Sequence, residues 1–282
     1  PPPLSKNGKL FVMGSSGVRH GVMCEEIEKK LNVQAVNFGL TGPLQKYQFD
    51  RVKNSLSSGD IVLLINEYHL YADRSSWSKY FDSYYIFVME YDTDYYKNLP
   101  LIEKIAFIYH VNTKFLFKRL IARYTEKDDG TEDAKFLAQG EKTSDFMNKN
   151  GDITDNTVEM STYKKPETPE KNALPLKKYP GDEMSIILKN FAEYCRKNNI
   201  KLYVTWQAIY PITDKNRFYG HDLEAVNNIK NFWSNLNVEV LGNYYDAFCT
   251  AEECYNSEVH LNDKGREKYT AHLIELLKPI FN

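Results

Sequence analysis

KLFVMGSSG, residues 9–17, is the stretch on which the reading of the whole chain turns. Leu10 to Met13 run without a polar break, as in a strand covered on both faces. The run stops at Gly14-Ser15-Ser16-Gly17, a turn signal that sets two hydroxyls between two glycines. Three readings of that turn are open. It is a tight strand-to-helix turn, a loop whose amides hold a phosphate, or a nucleophilic serine presented where a parallel strand ends.

Working outward, apolar runs alternate with helical stripes. VQAVNF (33–38), DIVLLIN (60–66), IKLYVTW (200–206) and VEVLG (238–242) read as further strands. Between them, Met23, Ile27 and Leu31 mark a helix, as do Phe49, Val52 and Leu56 after Pro43. Met184, Ile187, Leu188, Phe191 and Cys195 form a third stripe, and Leu223, Val226, Ile229 and Trp233 a fourth. DKGREKYTAHLIELLKPI (263–280) closes the chain as a helix. Parallel neighbours need crossover helices, so the expected fold is α/β: a three-layer, doubly wound, flavodoxin-like sheet of about five parallel strands.

The alternation breaks in the middle. Residues 75–124 are rich in aromatics, including Trp77, and lead into the helical LIEKIAFIYHVNTKFLFKRLIARY (101–124). Residues 125–180 are polar and read as an extended excursion. The expected organisation is one α/β domain, 1–74 with 182–282, carrying residues 75–181 as an insertion and candidate lid. The aromatics suit a core and would also suit a sugar platform. KFLFKRLIARY (114–124) suits an amphipathic helix and would also suit an anionic membrane surface.

Composition narrows the function classes. The 282 residues carry a formal net charge of -2, which argues against nucleic acid as a partner. No apolar run approaches the ~20 residues that span a bilayer. The chain opens Pro1-Pro2-Pro3 without methionine, so a trimmed or a processed form is expected, and loss of a signal or membrane anchor is compatible with either. Of the 4 cysteines, Cys24 and Cys195 lie in helical stripes and read as buried hydrophobes. Cys249 and Cys254, in CTAEEC, are candidates for a short-range disulfide, which would imply an oxidising compartment.

Ligands of open parallel sheets bind beyond the carboxyl ends of the strands. Those ends hold Ser16, then Asn37 and Gly39 in NFGLTG, then Asn66, Glu67 and His69 in LINEYHLY, and finally His260 in SEVHLNDKG. His20, His110, His221 and His272 lack this setting. A serine, a glycine amide, an asparagine amide and a histidine are the parts that acyl transfer from an ester requires. The base takes the hydroxyl proton, and N–H donors hold the oxyanion. Plainer readings stand beside these: Ser16 in a flexible turn, His260 as a helix-capping residue, Asn66 capping a turn.

In this order, after successive strands, the four residues resemble the SGNH (GDSL-type) hydrolase superfamily. MGSSG is similar to its first block and maps the nucleophile onto Ser16. VNFGLTG is similar to the second and supplies Gly39, LINE stands where G-x-N-D is usual and supplies Asn66, and VHLNDKGREKYT gives His260. The G-S-S and H-L-N-x-x-G forms are similar to those of bacterial cell-envelope branches, among them alginate-type O-acetyltransferase proteins and the protein implicated in D-alanine transfer to teichoic acid. The likeness covers residues 9–71 and 182–280.

The resemblance implies an SGNH-like α/β domain that transfers an acyl group, most simply acetyl, to or from hydroxyls of a cell-surface polysaccharide. Ser16 would be acylated, His260 would be base and then acid, and Ser16, Gly39 and Asn66 would form the oxyanion hole. No metal or cofactor is implied. The expected partners are an acylated carbohydrate and a membrane-bound acyl donor protein, at the periplasmic or extracellular face of the envelope. Two departures stand out. Leu64 replaces the third block's glycine, and Ser257 stands where an acid should precede the histidine by three residues. Candidate orienters of His260 are Asn256, Glu258 and Asp246. A catalytically degenerate glycan-binding or assembly protein on the same fold is the alternative.

Overall fold

The computed structural model of the protein describes residues 8–71, 84, 87–88, 92–110, 147–156, 182–210 and 215–281. Its centre is a sheet of five parallel strands: β1 (Leu10–Gly14), β2 (Ala35–Gly39), β3 (Ile61–Asn66), β4 (Lys201–Trp206) and β5 (Glu239–Val240). Their order is β2-β1-β3-β4-β5, the doubly wound arrangement the alternation of runs and stripes implied. Every residue of β1 and β3 is buried, which explains why neither strand alternates in sequence. Gly14 lies level with Gly39 on one side and Ile65 on the other, so three strand ends reach the rim together.

Helices cover both faces. On one, α1 (Ser16–Gly21) and α2 (Cys24–Leu31) pack with the closing helix, Asp263–Phe281. On the other, α3 (Gln45–Val52) meets the helix Asp182–Lys197 through Phe49 and Phe191, whose ring centroids are 4.9 Å apart. Trp233, in the helix Lys215–Ser234, donates its indole N–H to the Tyr71 hydroxyl at 3.3 Å. Cys24 and Cys195 are buried in this core, as their stripes implied.

The chain forms two compact units, Pro1–Arg74 with Met147–Asn282, and Ser75–Phe146. The second contains α4 (Thr93–Asn98) and α5 (Leu101–His110). Asp92 caps α4 by accepting from the Tyr95 amide at 3.0 Å. Tyr84, Tyr95 and Phe107 are buried there, so the described aromatics serve as core. Trp77 and the stretch 114–124 lie outside the described residues.

The expected boundary at residue 182 is corrected. Residues 147–156 belong to the sheet domain, and their polar side chains bond to its backbone. The Asp152 carboxylate accepts from the first amides of α2, Cys24 N and Glu25 N, both at 2.8 Å. Met23, the residue before that helix, cannot cap it. The Asn37 amide donates to the Asn150 carbonyl at 2.7 Å, and the Asn156 side chain donates to the carbonyls of His20 and Leu261. Asn150, Asp152, Ile153 and Asn156 are all buried.

Numbering the remaining elements in chain order, α6 is Asp182–Lys197, α7 is Lys215–Ser234 and α8 is Asp263–Phe281. Before α8 a hairpin forms from β6 (Cys254–Ser257) and β7 (His260–Leu261), antiparallel, with Ser257 opposite His260. Asn262 holds it in place. Its side-chain oxygen accepts from Gly265 N at 3.0 Å to cap α8, and its amide donates to the carbonyls of Glu252 and Cys254.

Candidate active site

In the order β2-β1-β3-β4-β5, the connection out of β1 runs one way and the connection to β3 the other. The crevice between those two strand ends is the switch point where ligands of such sheets bind. β1 delivers Ser15 and Ser16 to that place, and β3 delivers Asn66 and Glu67.

The two serines divide the work of the turn. Ser15 is buried and is the N-cap of α1, its Oγ 3.4 Å from Gly17 N. Ser16 is the first helical residue and is half-buried, so its hydroxyl is the accessible one. Both hydroxyls donate to Glu67 Oε1, Ser16 at 3.2 Å, and Gly17 N donates to the same oxygen at 3.0 Å. A Cβ at Gly17 would lie 2.5 Å from the end of the Gln207 side chain, so the glycine lets that carboxamide pack against the turn.

Asn66 is 2% exposed, and neither atom of its carboxamide has a hydrogen-bond partner. Gln207, at the end of β4, is fully buried with its Oε1 equally unpartnered. A buried amide left this way is destabilising by about 1–3 kcal/mol. Such groups in a native fold call for a polar partner, whether an ordered water, an ion or a ligand.

His260 arrives on β7. Its Nδ1 is 2.6 Å from Asn256 Oδ1, an oxygen that can only accept. The proton therefore sits on Nδ1, and Nε2 carries the lone pair. Of the three candidate orienters, Asn256 is the one that holds the ring. Asp246 is exposed and accepts from Asn243 at 3.2 Å. Glu258 is buried, and its backbone carbonyl accepts from Tyr210 N. Neither carboxylate hydrogen-bonds the imidazole. Burial pushes the His260 pKa down, the Glu67 carboxylate pulls it up, and the Arg19 charge pushes it down.

Three expectations need correction. The Gly39 amide donates to Asn37 Oδ1 at 3.0 Å rather than standing free for an oxyanion. Its glycine character serves packing, since a Cβ would lie 2.3 Å from the Arg19 amide nitrogen in α1. Cys249 and Cys254 are thiols with sulfurs 3.6 Å apart, well beyond the ~2.05 Å of a disulfide. The Cys254 thiol donates to the Thr250 carbonyl, and a capping box from Thr250 to Glu253 sets the shape of the turn between them. Finally, His20 is no bystander. Its ring lies 4.5 Å from that of His260, and burial together with the His260 charge lowers its pKa to about 3.

Ser16 and Asn66 thus stand at the ends of β1 and β3 and His260 on β7, and no hydrogen bond joins Ser16 to His260. From sequence alone Glu67 stands at this rim without a role, and His20 outside it. Glu67 is adjacent to Asn66 in sequence, and His20 follows Ser16 by one helical turn, so spacing alone offered a signal for both. Among the described residues no group of three or more His, Cys, Asp or Glu side chains is placed to hold a metal ion. No protein-family model matches the chain, and no curated protein matches it.

Proposed function

We propose that this is a serine-dependent acyltransferase or esterase of the SGNH type, which moves a small acyl group, acetyl in the simplest case, on hydroxyls of a cell-surface polysaccharide. One observation carries the reading. The buried Asn66 carboxamide has no partner, beside the Glu67 carboxylate that holds the accessible Ser16 hydroxyl. An uncharged donor kept unsatisfied next to a nucleophile is the arrangement that oxyanion stabilisation needs.

In the proposed reaction the Ser16 hydroxyl turns from Glu67 toward His260 as substrate binds. Oγ attacks the acyl carbon while Nε2 takes its proton. The carbonyl oxygen becomes an oxyanion facing Asn66 Nδ2 and the Ser16 amide, which as the first of its helix has no acceptor one turn back. The leaving alcohol then takes the proton from His260. A sugar hydroxyl or water, deprotonated by the same nitrogen, attacks the acyl carbon, and Ser16 Oγ departs with the proton that His260 returns to it. Glu67 favours the imidazolium formed between these steps. An envelope location and a membrane-bound acyl donor protein belong to the same proposal.

The second reading, a glycan-binding or assembly protein, draws on a specific observation: the Ser16 hydroxyl is bonded to Glu67 and not to His260. A fluorophosphonate probe separates the two. The enzyme reading requires covalent labelling of the wild type at Ser16, its loss in Ser16→Ala, and slowing of about a hundredfold or more in His260→Ala. An unlabelled wild type, inert toward an activated acetyl ester with and without a glycan acceptor, rules it out.

A further inference from the structure

Arg19 has no established task in the reaction proposed above, and its surroundings are unusual for an arginine. It is half-buried, its side chain forms no hydrogen bond or ion pair among the described residues, and its Nε is enclosed without a partner. The acids of the neighbourhood are engaged elsewhere. Glu67 accepts from Ser15, Ser16 and Gly17, and Asp152 from Cys24, Glu25 and Asn37. A guanidinium taken partly out of water without a carboxylate is unfavourable. The fork geometry of its N–H groups matches carboxylate or phosphate oxygens.

Its position links it to the chemistry. Ser16, Arg19 and His20 stand at i, i+3 and i+4 of α1, hence on one face, with Cβ atoms about 5–6 Å apart. The opposite face, Gly17, Val18 and Gly21, is buried. The Gly39 backbone against the Arg19 amide fixes where the side chain leaves the helix. Arg19 thus stands on the face of α1 that carries Ser16 and His20, and its charge acts on the His260 imidazole.

We infer that Arg19 binds an anionic group, carboxylate or phosphate, carried by the substrate on the acylated monomer or on the unit bonded to it. The inference rests on the acyl-enzyme reading for what is acylated, but not for the anion contact itself. The short reach from Arg19 to Ser16 places the anion close to the reacting hydroxyl and excludes a charge several monomers away. The unpartnered Asn66 carboxamide and Gln207 Oε1 leave one donor group and two acceptors for the uncharged part of the same ligand.

The test is calorimetric binding of three probes to the full chain: trigalacturonate for the carboxylate, a glycerol phosphate trimer for the phosphate, and neutral xylotriose. Wild type should prefer one anionic probe to xylotriose by about ten- to a hundredfold, and which one identifies the source of the charge. Arg19→Gln should lose that preference, and Arg19→Lys should keep part of it. Equal binding of all three probes by wild type, no binding of any, or an undiminished preference in Arg19→Gln would overturn the inference. Fluorophosphonate labelling of the same preparations keeps the two proposals apart. An anion preference without labelling upholds Arg19 and removes the acyl-enzyme, and labelling without a preference does the reverse.

Discussion

Two asparagines at this site invite opposite substitutions. Asn66 has a buried carboxamide with no partner, so an apolar residue of similar size should suit the fold better. Asn66→Leu is expected to stabilise the protein by about 1 kcal/mol, read as a higher denaturation midpoint in urea. Turnover of an activated acetyl ester should fall by about 10²–10³-fold, the usual loss when an oxyanion donor is removed. A variant less stable than wild type would mean that Asn66 has a structural partner instead. Asn256 presents the reverse case. Its Oδ1 already lies 2.6 Å from His260 Nδ1, so Asn256→Asp places a carboxylate where the missing acid of the motif would act. In a full triad the acid-to-amide change lowers the rate about 10⁴-fold. The reverse exchange should therefore raise ester turnover by about tenfold or more, and raise the pKa of the acidic limb of the pH–rate profile. An unchanged rate and limb would show that His260 is not the base. Asn256 was readable in the sequence only as one option among three, because its distance of four residues from His260 acquires meaning through the β6–β7 register. Glu67 was placed at the rim but given no role because an acid was sought beside the histidine, whereas the fold brings one from the end of β3.

At the scale of elements, the five strands and most of the helices were legible because each buries an apolar run or stripe. The segment 147–156 was not. Asn148, Asn150, Asp152 and Asn156 have the composition of a solvated loop, yet three of the four are buried. Their polar groups are satisfied by backbone atoms distant in sequence, a pairing that leaves no periodic trace. Asp152 does the most, replacing the cap that Met23 cannot provide and accepting from the Asn37 side chain at 3.2 Å. Asp152→Ala should destabilise the fold by about 2 kcal/mol or more, since a cap is lost and the buried Asn37 amide loses an acceptor. Urea denaturation measures this directly, and a loss within 0.5 kcal/mol, the range of an ordinary surface substitution, would show that the segment is dispensable. By the same argument, replacing 75–146 with a flexible linker should leave a cooperative transition, and extending the excision through 156 should abolish it.

For the molecule as a whole, the doubly wound order brings the site together. Ser15 and Ser16 follow β1, Asn66 and Glu67 stand at the end of β3, and His260 enters from a hairpin beyond β5, so residues from 15 to 260 converge at one switch point. That convergence packs the rings of His20 and His260 against each other between α1 and β7, and the pair makes stability depend on pH. His20, with a pKa of about 3, faces His260 and Asn156, stacks at 5.9 Å on Tyr255, and feels the positive charges of Arg19 and Arg266. In the unfolded chain its pKa returns to about 6.5. Above pH 6.5 neither state is protonated, and His20 adds no pH dependence. Between about pH 6.5 and 3 the unfolded state binds a proton that the native state refuses, so stability falls as the solution is acidified. His260, whose pKa is also lowered, acts in the same direction. Removing one such histidine should flatten the acid limb by up to one proton, about 1.4 kcal/mol per pH unit. Urea denaturation of wild type and His20→Gln at pH 4.5, 5.5, 6.5 and 7.5 provides the comparison. Any constant offset between them reports the lost ring contact, and the change in slope reports the titration. Curves that stay parallel across all four pH values would mean that His20 titrates alike in the folded and unfolded chains, so that its packing against His260 does not lower its pKa.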